Sequence, residues 1–191
     1  MSNTISNILT INGTEEQIAK VRNYIKGSNG ESISFQAFCP MPEDLKGEHK
    51  ETIMFGGHSL SIPDWMIWRF NNWGTKWDAE PAQDETVDAP NQIIFNTAST
   101  TPDNGILNLS KIFPGVTFEV IFSDEYAGQY SGRYTVAGGE MTEWICLEDD
   151  SDEAMEYYFR THEYAREEWK KKDTGQWVNL YDEEDYEEEE V

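Results

Sequence analysis

The sequence predicts an α+β fold built on one core, and three observations lead to that prediction. Short β-type runs alternate with amphipathic helical patterns over the first 147 residues. These patterns follow one another in the order β-α-β-β-α-β. A glycine-bounded hairpin pattern and one more amphipathic helix come after them. The order is that of the split β-α-β, or ferredoxin-like, fold, a name that describes architecture and implies no iron–sulfur cluster.

The first strand and helix carry clear boundary signals. Residues 7–11 are a β-type run closed by an Asn-Gly pair. Thr14 and Gln17 have the spacing of a capping box, and Gly27 is the expected stop of the helix. The apolar stripe that this helix would lay on a sheet consists of Ile18, Val21 and Ile25.

The next segment predicts an insertion before the second core strand. Residues 32–38 alternate apolar and polar side chains, which is typical of a strand or an extended lead. Residues 39–62 are polar and rich in Gly and Pro, so we expect an irregular loop. An aromatic helix over residues 65–72 follows, and Gly74 is expected to end it and begin a strand.

The second half of the core repeats the strand–helix–strand pattern. Residues 92–97 predict a strand, and Thr101 followed by Pro is a helix start. Residues 116–122 predict the next strand. Residues 130–136 and 143–147 predict an added β-hairpin, because a Gly-Gly turn joins them.

The C-terminal part reads as a long amphipathic helix and an acidic tail. Ser151 is the predicted N-cap, and the helix would run to the lysines at 170–172. We therefore divide the chain into a ferredoxin-like domain at 1–147, a helix packed on it at 148–175 and a disordered acidic tail at 176–191. The apolar face of the helix comprises Met155, Tyr158, Phe159, His162, Ala165 and Trp169.

Negative charge is the dominant feature of the composition. Lys+Arg 14 against Asp+Glu 37 gives a net charge of −23, of which −13 falls after residue 146. Such a field repels phosphate backbones and anionic lipid, so we expect neither direct nucleic-acid binding nor membrane binding. It attracts a protein with a basic surface, although acidity that serves only solubility is an equal alternative. The acidic surface predicted to contact a partner is Glu148, Asp149, Asp150, Asp152, Glu153 and Glu156.

The string NWGTKWD at residues 72–78 resembles the hallmark of the YubB-type ferredoxin-like family, small accessory proteins encoded by phages and conjugative plasmids. The surrounding order of elements is similar over residues 5–147. One departure is the segment 99–102, Ser-Thr-Thr-Pro, where the family tends to carry Trp and a double Pro. The resemblance implies a fold and a mobile-element context in a bacterial cytoplasm, and it carries no biochemical activity with it.

From that context we expect a non-enzymatic protein that binds a host protein. One hypothesis is an inhibitor of host defence whose acids imitate nucleic acid and occupy a basic groove. A second is a nucleotide-binding module with an aromatic pocket lined by Trp65, Trp68, Trp73 and Trp77. A third is an architectural homo-oligomer that uses the C-terminal helix face in trans; the sequence does not predict the oligomeric state.

The NWGTKWD string allows two interpretations. In the functional one, Trp73, Lys76 and Trp77 form an aromatic recognition surface with one cation. In the structural one, the string is a tight helix-to-strand junction with Gly74 at its bend, and Lys76 and Asp78 pair across the strand. The sequence favours the structural interpretation.

Catalytic and cofactor signals are weak throughout the sequence. Glu48, His49, Glu51 and His58 could converge, but their spacing fits no standard zinc site. No nucleophile motif or phosphate-binding loop is present, so we expect no enzymatic activity, no metal and no cofactor. The two cysteines, at 39 and 146, are expected to be buried free thiols.

Overall fold

The computed structural model describes residues 3–47, 50–55, 58–82 and 89–181, and the fold is α+β. Two 3₁₀ segments, Glu43–Lys46 and Glu163–Glu168, supplement the regular elements. In chain order the strands and helices are β1 Thr4–Asn12, α1 Glu15–Ile25, α2 Phe35–Phe38, β2 Lys50–Phe55, β3 His58–Pro63, α3 Asp64–Trp73, β4 Glu80–Pro81, β5 Gln92–Ala98, α4 Asp103–Ile112, β6 Thr117–Asp124, β7 Gly132–Ala137, β8 Glu140–Cys146, α5 Asp152–Thr161, β9 Trp169–Lys171 and β10 Trp177–Asn179.

The main sheet has six strands in the order β4-β5-β1-β6-β7-β8, and each neighbouring pair is antiparallel. Its first four strands have the ferredoxin-like arrangement, in which β1 lies centrally between the two strands that α4 connects. The hairpin of β7 and β8 extends the sheet beyond β6. The predicted fold class is therefore confirmed.

The main core lies on one face of this sheet, beneath α1 and α4. Alternate residues of β1 and β5 point into it, and those of β1 are Ile5, Asn7, Leu9 and Ile11, all of them buried. The corresponding residues of β5 are Ile93, Phe95 and Thr97. Trp73 at the end of α3 and Phe35 at the start of α2 close the core beside the helices. The largest fully buried side chains are Trp73, Tyr134, Phe35, Phe95, Phe118 and Phe122.

The opposite face of the sheet is covered in part by α5, which packs against β6 and β1. A second cluster forms there from Met155, Tyr158, Phe159 and Ala165, and Trp169 and Trp177 pack against it. The predicted apolar stripe is thus buried on the chain's own sheet. The predicted helix is too long, however, because α5 ends at Thr161 and the chain continues as a 3₁₀ segment and the hairpin of β9 and β10.

Three further predictions are corrected by the structure. Residues 32–38 contain the short helix α2 instead of a strand, because Ile33, Phe35 and Phe38 all reach the core when the chain turns at Ser34. The insertion 39–62 is not wholly irregular, since β2 and β3 form a hairpin within it. The strand predicted directly after Gly74 begins only at Glu80 and is two residues long.

The end of the chain and the cysteines also differ from expectation. The segment predicted as a tail from residue 176 includes β10, while residues 182–191 lie outside the described residues. Both cysteines are free, but Cys146 is exposed on the edge strand β8 and only Cys39 is partly buried. Burial raises the pKa of the Cys39 thiol. Among the described residues, no helix is long and apolar enough to cross a membrane.

Candidate functional site

A groove of about 610 Å³ lies on the second face of the sheet, beside the C-terminal end of α5. Its floor is formed by β1 and β5, whose side chains on this face stand opposite one another in four cross-strand rows. The rows are Thr10 with Gln92, Ile8 with Ile94, Ser6 with Asn96, and Thr4 with Ala98. Strand geometry places successive rows roughly 7 Å apart. The groove itself is lined by the row residues Thr4, Ser6, Ile8, Gln92, Ile94 and Asn96.

The innermost part of the groove is a hydrogen-bonded set of Ser6, Asn96 and His162. Ser6 Oγ lies 3.0 Å from Asn96 Oδ1 and 3.1 Å from His162 Nε2. His162 Nδ1 lies 3.2 Å from the Tyr158 carbonyl oxygen, and the imidazole stacks on the Tyr158 ring with 4.4 Å between centroids. These contacts hold the imidazole at the end of α5 against the central strand.

His162 is 8% exposed, and burial lowers the pKa of its imidazole below the ordinary value. The neutral ring therefore predominates at neutral pH, so one of its nitrogens donates a hydrogen bond and the other accepts one. The sequence assigned His162 only to an apolar stripe and did not single out Ser6. No sequence pattern reveals this pair, because it depends on the face of β1 over which α5 ends.

The rim of the groove carries an excess of negative charge. Among the described residues that line it, the exposed acids are Glu80, Glu125 and Glu163, and the one cation is Arg160. The C-terminal end of α5 also points here, and the carbonyl end of a helix has a partial negative charge. The groove is therefore suited to a cationic group and unsuited to phosphate.

The six acids predicted as a partner-binding surface lie together in the loop before α5 and in its first half. Four of them are held in place by other parts of the chain. Asp149 accepts from the Tyr130 backbone N–H at 3.0 Å, and Asp150 accepts from Gln129 Nε2 at 2.9 Å. Both donors are uncharged, so these two contacts place no positive charge beside either carboxylate.

Cations neutralise the other two anchored acids. Asp152 binds Lys171 and accepts from Trp177 Nε1, and these contacts lower the pKa of its carboxyl. Glu156 forms a two-point ion pair with Arg166, with both N–O distances at 3.0 Å. Within the described part of the chain, the carboxylates of Glu148 and Glu153 have neither hydrogen-bond nor ion-pair partners. The uncompensated acids of the surface are therefore Glu148, Asp149, Asp150 and Glu153.

The NWGTKWD string is built into the core at a helix end. Trp73 is 1% exposed and donates from Nε1 to the Cys39 carbonyl at 2.8 Å, so it cannot belong to a recognition surface. Gly74 ends α3 with φ +83, and Thr75 is fully buried. Asp78 does not pair with Lys76: its carboxylate accepts from Ser34 Oγ and from the Phe35 backbone N–H, which caps α2.

Only Lys76 and Trp77 of the predicted aromatic surface reach solvent. Trp77 is 40% exposed and stacks on Trp65, with 5.2 Å between ring centroids. Arg69 lies over the rings of Trp65, Trp73 and Trp77 at 5.0, 4.8 and 5.4 Å. The indoles thus pack on one another and on a guanidinium, and none of them lines the groove.

The described residues contain no group of three or more His, Cys, Asp or Glu side chains placed to hold a metal ion. Glu48 and His49, two of the four residues considered for a metal, lie outside the described residues.

A family model described as the ferredoxin-like domain in Api92-like protein matches residues 72–171, somewhat more than half of the chain. The match begins at Asn72, the first residue of the NWGTKWD string, and extends through β4–β8 and α5 to the end of β9. It leaves β1 and α1 outside, although they complete the ferredoxin-like arrangement of the sheet. Neither a curated protein nor a solved structure matches the chain.

Proposed function

This chain belongs to the family of the ferredoxin-like domain in Api92-like protein, and from that premise we propose that it acts by binding a basic protein and not by catalysis. The observation that carries the proposal is the acidic surface before α5. Its four uncompensated carboxylates lie within six residues, and two of them are held by hydrogen bonds. Anchored charges lose little conformational freedom on binding, which favours a rigid complementary partner.

The overall charge supports the same partner class. A net charge of −23 speeds association with a basic surface and repels nucleic acid itself. Interactions of this kind weaken as salt rises, because counterions screen exposed charges over about 8 Å at physiological ionic strength. The proposed partner is a host protein whose basic groove normally holds nucleic acid.

The mobile-element context rests on the resemblance of residues 72–78 to YubB-type proteins. We propose that the chain is an accessory protein of a phage or plasmid, active in the bacterial cytoplasm as an inhibitor of host defence. In that role the acidic surface would occupy the nucleic-acid groove of a defence complex.

The structure lends the two alternative functions less support. A nucleotide pocket between the indoles would require space that Arg69 and the stacked rings of Trp65 and Trp77 occupy. An oligomer built on the apolar face of α5 would require exposed side chains, yet Tyr158 and Phe159 are buried against the chain's own sheet.

The test is capture of host proteins on the immobilised chain, followed by measurement of one purified partner's affinity. We expect double-stranded DNA to compete for the partner, and affinity to fall steeply between low and physiological salt. The variant Glu148→Lys with Glu153→Lys should weaken binding at least tenfold. A matched control, Glu15→Lys with Glu140→Lys, makes the same charge change at exposed positions elsewhere.

Three results would contradict the proposal: a salt-insensitive complex, no competition by DNA, or equal weakening by the two double variants. Deletion of residues 182–191 separates the folded surface from the acidic C-terminus. If that deletion alone abolishes binding, the folded acids are not the contact surface.

A further inference from the structure

We propose that the groove beside the end of α5 is a second contact site, which binds arginine or lysine side chains of an extended segment of the protein partner. The inference deepens the proposed function and rests on it for the partner being a basic protein. Three independent properties of the groove support it: its shape, the order of its floor and the charge at its rim.

The shape is that of a binding cleft. Its volume of about 610 Å³ falls within the range of roughly 300–1,000 Å³ that is usual for ligand sites. The helix α5 packs on β6 and β1 and ends at Thr161, and beyond its end described residues of β1, β4 and β5 line the groove. A sheet face of this kind accommodates an extended chain better than a helix.

The floor alternates in a way that suits long cationic side chains. The apolar row of Ile8 and Ile94 lies between the polar rows of Ser6 with Asn96 and Thr10 with Gln92. The aliphatic stem of an arginine or lysine can lie along the isoleucines while its charged end reaches a polar row or the rim. The hydrogen bonds among Ser6, Asn96 and His162 fix the inner row, so a ligand meets preformed partners.

The rim determines the sign of the ligand charge. Within the described lining, three exposed carboxylates, those of Glu80, Glu125 and Glu163, stand against one guanidinium, that of Arg160. The carbonyl end of α5 adds partial negative charge. Because His162 is held neutral by its burial, it does not offset these acids at neutral pH. A guanidinium or ammonium group is therefore the complementary ligand.

The probe is the peptide acetyl-Arg-Ala-Arg-Ala-Arg-amide, and the matched uncharged control peptide carries glutamine at the three arginine positions. We expect NMR titration of the full chain with the arginine peptide to shift the resonances of Ser6, Asn96 and His162, whereas the glutamine peptide leaves them unchanged. The variant Glu125→Lys with Glu163→Lys should weaken the peptide at least tenfold.

The control variant is Glu15→Lys with Glu140→Lys, which makes the same charge change at exposed positions outside both the groove and the acidic surface. Glu15 lies on α1, which packs on the opposite face of the sheet, and Glu140 lies on β8, at the edge of the sheet away from β4. We therefore expect this control to change peptide affinity less than twofold. Thermal unfolding of both variants confirms that these exposed substitutions leave the fold intact.

The outcomes separate the groove from the acidic surface. If the arginine peptide shifts only resonances of residues 148–153, or if both double variants weaken it equally, the groove inference is overturned while salt-dependent partner binding can still hold. If the peptide occupies the groove and no protein partner shows salt-dependent binding, the proposed function fails and the groove remains a cation-binding site.

Discussion

Substitution of Gly74 by alanine tests whether the NWGTKWD string is a structural junction. Gly74 has φ +83, a conformation that costs an L-residue about 1–2 kcal/mol. An added Cβ would lie 2.3 Å from Asp103 Oδ1 and 3.0 Å from the Asp103 backbone nitrogen. The carboxylate would have to move and release its 2.7 Å hydrogen bond from the Asn104 N–H, at a cost of about 1 kcal/mol or more. We expect Gly74→Ala to lower the free energy of unfolding by about 3 kcal/mol.

Urea unfolding followed by tryptophan fluorescence measures this loss. With a slope of about 2 kcal/mol per molar urea, the midpoint should fall by roughly 1.5 M. The matched control is Gly138→Ala in the β7–β8 hairpin, where φ is +57 and no atom lies within 4 Å of the added Cβ. It carries the conformational cost alone, about 1–2 kcal/mol. If the two variants lose the same stability, the close approach of Gly74 to α4 has no energetic consequence and the reasoning is wrong.

Two further predictions concern groups whose roles only the structure reveals. Burial lowers the pKa of His162 in the folded chain below the value of about 6.5 that it has in the unfolded chain. As pH falls through about 6.5, the unfolded chain therefore binds the proton first. The free energy of unfolding then decreases with falling pH until the folded pKa is reached. The unfolding free energy of the wild type, relative to that of His162→Gln, should therefore fall between about pH 7.5 and about pH 5.5. A difference that stays constant over this range would exclude a contribution from the titration of His162. Asp78→Ala should lower the free energy of unfolding, measured in urea, by about 2 kcal/mol, because Ser34 Oγ and the Phe35 N–H lose their acceptor. Asp78→Asn keeps one acceptor oxygen and should lose less; equal losses for the two variants would argue against the capping role.

Local signals in the sequence were sufficient to predict those features that depend on contacts between residues close together in the chain. The capping box at the start of α1 forms as predicted, with Thr14 and Gln17 bonded to each other's backbone. Ser151 caps α5 as predicted, and its side chain accepts from the Ala154 N–H. The Gly-Gly turn joins β7 to β8. These features depend on contacts three or four residues apart, so composition and spacing reveal them.

Predictions failed where the deciding contact comes from a distant part of the chain. The helix α2 is capped by Asp78, 43 residues beyond Phe35, and its alternating sequence alone favours a strand. The end of α5 at Thr161 is likewise a tertiary effect, since the apolar stripe continues in sequence while the 3₁₀ segment and β9 bury its remainder. Helical periodicity cannot distinguish these two ways of burying the same residues.

The sequence by itself determined the α+β class, the order of the core elements along the chain and the negative charge, because these follow from local pattern and composition. Only the tertiary structure decided which acids remain uncompensated and where the chain has a cleft. Ion pairs of Asp152 with Lys171 and of Glu156 with Arg166 offset the charges of two of the six acids, which the sequence alone does not distinguish from the other four. The groove brings together Ser6 and His162, which lie 156 positions apart in sequence, on the face of the sheet that α5 covers only in part. Charge is a sum over residues, whereas a binding site is a matter of which residues the fold brings together.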